Sequence, residues 1–202
     1  MNWLTASPLN QLAAAWRDEQ LGTCSDATIG SDGCLITDFS LLAGVTPVTM
    51  NDAMKARGGF YRGCLAATFD VQRLGFPAAP ALLGVTKAYQ SVAFPETEIA
   101  RVWSHVRAGG VGIACIDFDP ETPKYNEHWL MLVAAFGSPA ARRDFVITDP
   151  YGGIQTTFSQ RYGALPRALV RVALYGGGAL SRDIGDADAR QMRRATIPKE
   201  AI

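Results

Sequence analysis

Four cysteines (Cys24, Cys34, Cys64, Cys115) and two histidines (His105, His128) set the choices for covalent chemistry in this chain. A thiolate at an electropositive spot, an imidazole within hydrogen-bond reach and a group that orients the imidazole together make a nucleophile for acyl transfer. Cys34 follows the turn Ser31-Asp32-Gly33 and opens an apolar run. It can therefore sit at a helix N-terminus, where orphan N–H groups and the macrodipole stabilise a thiolate. Cys64 follows Gly63 and precedes Leu65-Ala66-Ala67, so local sequence does not separate the two, and a buried core cysteine is the plain alternative for either. His105 lies on the polar side of a helical stretch with Glu98 and Arg101, near its C-terminal end, where a solvated imidazole complements the helix dipole. His128 stands at the mouth of a strongly apolar strand, after Lys124-Tyr125-Asn126-Glu127, and is the better base. Asp149 ends the run Phe145-Val146-Ile147-Thr148. In Asp149-Pro150-Tyr151-Gly152-Gly153 it reads as ordinary turn chemistry or, if its strand neighbours that of His128, as the group that fixes the imidazole tautomer.

The elements that must position these residues change character along the chain. Leu9, Leu12, Ala13 and Trp16 have the spacing of an amphipathic helix. A loop rich in Gly, Ser, Thr and Asp follows over 22–33, then a helix over 34–43 stopped by Gly44. Further helices are predicted over 51–57, ending at Gly58-Gly59, over 65–74, and over 97–108 with Ile99, Val102, Trp103 and Val106 as its buried stripe. Strands are predicted over 111–117, 128–134, 144–148, 154–158 and 168–175, with hairpin-type connections at 120–126 and 137–143. Helices first and strands after them predict an α+β domain with an antiparallel sheet. The domain is expected over 1–178, and 179–202 reads as a polar C-terminal tail or peripheral helix.

Bulk composition excludes several classes. With 202 residues, 48% hydrophobic and 19% charged, the chain suits one folded domain. Lys+Arg and Asp+Glu balance at 19 each, which argues against a nucleic-acid partner. No apolar stretch approaches the ~20 residues that span a bilayer, so membrane insertion is not expected. The first residues lack a signal-peptide pattern, which predicts cytoplasmic synthesis. The cysteines form no C-x-x-C pair and two histidines leave little for a zinc site, so no metal or organic cofactor is called for. Free thiols, mostly buried, are the expectation for all four cysteines. Phe60, Tyr61, Trp129 and Tyr151 could line an apolar substrate cleft, or equally the core.

The stretch Gln11 … Trp16 … Leu21-Gly22 … Thr28-Ile29-Gly30 … Gly33-Cys34-Leu35-Ile36-Thr37 resembles the N-terminal motif of bacteriocin-processing-peptidase-like domains, within the papain-like cysteine peptidase superfamily. His128-Trp129-Leu130-Met131-Leu132-Val133 and the later Thr148-Asp149-Pro150-Tyr151-Gly152 are similar to that family's histidine strand and Asp-Pro turn. The resemblance covers about residues 9–158, and its two motifs are more specific together than apart. It implies a papain-like fold, with N-terminal helices carrying the nucleophile packed on the C-terminal sheet. It also implies Cys34 as nucleophile in preference to Cys64, His128 as general base and acid, Asp149 as its orienting group, and Gln11 as a side-chain donor to the oxyanion. Gln20 is a competing candidate for that last role.

One departure stands inside the motif. Asp38 lies early in the nucleophile helix, where a small or hydroxyl residue is expected, and a carboxylate facing the sulfur would oppose thiolate formation. Transporter-fused members of the family cut leader peptides after double glycine, a substrate not implied here. Stand-alone domains of this type resemble cell-wall peptidases and phage-encoded lytic or tail-associated modules. The expected partner is thus a peptide, either a peptidoglycan stem peptide or a protein tail. Other subunits of a larger assembly and a virion-associated location are kept open. A catalytically silent docking module and an acyltransferase or transglutaminase-like use of the same residues are the alternatives.

Overall fold

The computed structural model describes residues 7–87, 94–117, 127–138, 143–163, 165 and 169–176. In chain order the elements are α1 (Ile29–Asp32), α2 (Cys34–Ala43), α3 (Pro47–Ala56), β1 (Phe60–Tyr61), β2 (Leu65–Ala66), β3 (Leu82–Lys87), α4 (Glu96–Arg107), β4 (Val111–Asp117), β5 (Glu127–Phe136), β6 (Asp144–Asp149), β7 (Ile154–Thr157), α5 (Phe158–Tyr162) and β8 (Leu169–Tyr175). The chain is α+β: helices accompany a six-stranded sheet of order β3-β8-β4-β5-β6-β7, every neighbouring pair antiparallel.

Period-two alternation gives the sheet two buried faces. Val111, Ile113, Cys115, Trp129 and Met131 join the apolar faces of α2 and α3 in one core. Ala114, Ile116, Leu130 and Leu132 join Ile99, Val102, Trp103 and Val106 of α4 in another. This explains why β4 and β5 read as continuous apolar runs instead of alternating ones. No helix among the described residues is long and apolar enough to cross a membrane.

Local signals set most helix limits. Thr28 caps α1 in a reciprocal capping box with Ser31. Gly44 ends α2 in the left-handed conformation (φ 71°), where a side chain would be strained. Thr46 caps α3 and Pro47 occupies its first turn, so that helix begins ahead of the predicted 51.

Several expectations are corrected. Residues 9–16 form successive turns, not a helix: Asn10 Oδ1 accepts from the Leu12 N–H, Asn10 O accepts from Trp16 Nε1, and Gln11 is turned inward at 2% exposure. Residues 65–74 are not a helix either. They open with the β1–β2 hairpin, whose turn holds Arg62 and Gly63 at positive φ, and continue through turns anchored by Tyr175 Oη donating to Phe69 O. The four cysteines are not all free, because Cys24 and Cys64 form a disulfide while Cys34 and Cys115 remain thiols. β3 was not anticipated, and residues 158–162, beginning at the predicted end of the fourth strand, form α5. The predicted connection 120–126, most of 137–143 and the tail 179–202 lie outside the described residues.

Candidate active site

α1 and α2 meet at Gly33, whose N–H bonds Ile29 O at 2.9 Å. A Cβ on Gly33 would stand 2.4 Å from Ile29 O and 2.7 Å from Ile29 Cα, so this close junction requires glycine. It puts Cys34 at the first position of α2. The first bond across the junction is donated by Thr37 to Gly33 O, so the preceding N–H groups of α2 have no acceptor within their helix. Cys34 is buried at 9% exposure, and Cys64, its rival in the sequence, is tied up with Cys24.

β5 brings in His128. It pairs with Ile116 of β4 on one side, while the register with β6 begins only at Met131↔Thr148. β6 therefore stops short of His128, and its last residue, Asp149, reaches the imidazole there. His128 Nε2 lies 2.8 Å from Asp149 Oδ1, which leaves Nδ1 for Cys34, and a hydrogen bond links that imidazole to the thiol. Burial alone would lower the His128 pKa, but the hydrogen bonds and charges of Asp149 and Cys34 outweigh it and raise it to about 10. The arrangement favours the charged imidazolium form of His128 beside the Cys34 sulfur.

Asp149 is fully buried and saturated with donors. Oδ1 also accepts from the Tyr151 N–H at 2.8 Å, and Oδ2 accepts from Arg161 Nε and the Tyr162 hydroxyl. Burial pushes its pKa up, but His128, Arg161 and Tyr162 together hold it below the usual carboxylate value. Asp149 therefore begins a turn and also faces the imidazole.

Gln11 spans the two halves of the site. Its backbone N–H donates to Pro150 O at 2.9 Å, and its Nε2 to Gly30 O at 2.9 Å, while Oε1 is buried without a partner. Among the described residues, Nε2 makes this one bond, which leaves its second hydrogen available. Gln20, the competing candidate, instead bonds Cys24 O from an exposed position. His105 is not simply solvated, since its Nε2 lies 2.8 Å from Tyr175 O and its ring fills the space beside Gly110.

Asp38 is one helical turn beyond Cys34 and 2% exposed. The nearby polar residues of α2 satisfy themselves, Thr37 Oγ1 donating to Gly33 O and Ser40 Oγ to Ile36 O. Asp38 has no such recourse, and its Oδ2 is buried without a partner. Burial first, then the Cys34 charge, holds its carboxyl protonated well above the usual range, with His128 opposing.

Of the four aromatics considered for a cleft, Tyr151 alone is both exposed and against the imidazole, edge-on at 6.4 Å. Trp129 is buried, packed on Phe69 at 5.4 Å with Arg171 over its ring, and Phe60 packs on the core. Tyr61 is exposed beneath Arg62. Arg161 and Tyr162 were missed in the sequence. The signal available was Thr157, which caps α5 by accepting from Gln160 N. Among the described residues no cluster of three or more His, Cys, Asp or Glu is arranged to hold a metal ion.

Comparison with protein-family models, with curated proteins and with solved structures finds no match for this chain.

Proposed function

We propose that this chain is a papain-like cysteine peptidase that hydrolyses a peptide or amide bond. The observation that carries the reading is the buried relay Cys34–His128–Asp149, with the cysteine opening a ten-residue helix and the imidazole bonded on both sides. The Cys34 thiolate attacks the carbonyl carbon. The oxyanion is received by the free Nε2 hydrogen of Gln11 and an orphan N–H at the start of α2. As the C–N bond breaks, His128 passes its proton to the leaving amine and a thioester remains. His128 then takes a proton from water, whose oxygen displaces the sulfur and releases the acid. The substrate class we infer is a peptidoglycan stem peptide or a protein tail, with Tyr151 as the exposed aromatic beside the reacting centre.

The test is alkylation by iodoacetamide across pH, read by peptide mass spectrometry. Cys34 should react roughly tenfold faster at pH 6 than an unstructured thiol and lose that advantage in His128→Ala. A Cys34 no faster than a free thiol, in folded protein, would sink the reading. A second reading, a catalytically silent docking module in a larger assembly such as a phage tail, is favoured by one observation: the unpartnered Asp38 carboxyl beside the nucleophile. The same unreactive Cys34 would support it.

A further inference from the structure

α5 brings to Asp149 two residues that the acyl-transfer steps above do not use. Arg161 Nε and the Tyr162 hydroxyl both donate to Oδ2, while Oδ1 takes His128 and the Tyr151 N–H. The Arg161 side chain is 5% exposed and that of Asp149 0%, so the ion pair is withdrawn from water. Arg161 is itself held, with Nη2 donating to Tyr151 O at 3.3 Å and its guanidinium over the Tyr162 ring at 5.5 Å. The Tyr162 ring in turn lies 6.3 Å from the imidazole.

A carboxylate divided in this way has consequences for its histidine. Two donors on Oδ2 fix the plane of the group and keep Oδ1 on Nε2. A guanidinium on Oδ2 also offsets the negative charge that Asp149 presents to the imidazolium. Left alone, Asp149 would hold the His128 proton tightly and make it a poor acid toward a leaving amine. We propose that Arg161, supported by Tyr162, is a positioning residue that fixes Asp149 and weakens its grip on the His128 proton, so that the imidazolium can serve as general acid. This inference rests on the peptidase reading of the same site.

Other groups act on that imidazole. Cys34 and Asp38 face it from α2, Asp149 from β6, Tyr151 from the following turn, and Arg161 and Tyr162 from α5. Asp117 and Glu127 are opposite each other at the neighbouring position of the β4–β5 ladder. Among the described residues, only Arg161 and Tyr162 are placed to act through Oδ2.

The experiment follows the imidazole itself by NMR titration in a Cys34→Ser background, which removes the sulfur that also acts on the His128 proton. With two histidines in the chain, His105 serves as internal reference. Arg161→Gln should raise the His128 midpoint by about one pH unit, Tyr162→Phe by roughly half a unit, and Arg161→Lys should return it close to the parent. An Arg161→Gln midpoint at or below the parent overturns the proposal, as does an Arg161→Lys midpoint moved as far as Arg161→Gln. Should Arg161→Gln not fold, Tyr162→Phe decides, and an unmoved midpoint there overturns it. The titration reads no turnover, so failure of the peptidase reading would appear in alkylation and leave these midpoints as expected.

Discussion

At position 38 the chain buries a carboxyl group that its own helix cannot satisfy, and the pH dependence of stability should record it. A folded pKa raised above the unfolded 3.8 means that the native state binds more protons than the unfolded state above that pH. Its contribution is complete below 3.8 and is lost as pH rises. Asp38→Asn, a neutral isostere, should therefore gain on the parent above pH 4, by up to about 1.4 kcal/mol per pH unit in urea unfolding. A pH-independent difference would mean that Asp38 ionises as it does in the unfolded chain. His128 has the same sign: raised from 6.5 to about 10, it contributes fully below 6.5 and loses that contribution as pH rises through 10. His128→Ala should flatten that alkaline limb alone. At this scale the residues singled out in the sequence are found as neighbours, His128 between Cys34 and Asp149 and Gln11 tied to Gly30 O and Pro150 O, and position 38 was already out of character. Arg161 and Tyr162 were not, because a residue that reaches a carboxylate twelve or so positions back leaves no periodic trace in the sequence.

Among the elements, those whose limits are set by their own residues were legible. α2 ends at a left-handed glycine, α4 carries a clean apolar stripe, and β4 to β6 are apolar runs. Where distant contacts decide, sequence reading failed. Residues 9–16 have helical spacing, yet Gln11 is drawn inward by Gly30 O and Pro150 O, against that period. Residues 65–74 follow the disulfide-bonded Cys64 and are held by Gly59 O and the Tyr175 hydroxyl, contacts that outweigh a weak helical preference. The α1–α2 junction gives the element-scale test. Gly33→Ala places a methyl against Ile29 backbone atoms, which cannot swing aside as a side chain would. It should cost about 1–3 kcal/mol in urea unfolding and slow Cys34 alkylation at pH 6, because α2 must shift with its first residue. Unchanged stability would show that the junction relaxes freely. Changed stability with unchanged alkylation would separate the packing of α1 from the placement of the thiol.

Across the whole molecule, the candidate site exists only where two parts of the chain meet, and only one of them is cross-linked. The disulfide joins residues 40 apart and encloses α1, α2 and α3, hence Cys34, whereas His128 and Asp149 come from the sheet. Around the cross-link, Thr23 N–H bonds Gly63 O at 3.0 Å and Gly22 N–H bonds Asn51 Oδ1 at 2.8 Å, so the strap has hydrogen-bonded support that survives reduction. Opening a loop of that length returns conformational entropy to the unfolded chain, about 4 kcal/mol, which lowers the melting midpoint by roughly 10 °C in a chain of this size. Thermal unfolding with and without a phosphine reductant, beside a Cys24→Ser/Cys64→Ser variant, should show that loss in both. Well below the lowered midpoint, Cys34 should still outpace a free thiol at pH 6, since α2 rests on β5 through buried apolar contacts rather than through the strap. If reduction erased that advantage in protein that is still folded, the cross-link would be holding Cys34 against His128, and the competence of the site would depend on the redox state of its surroundings.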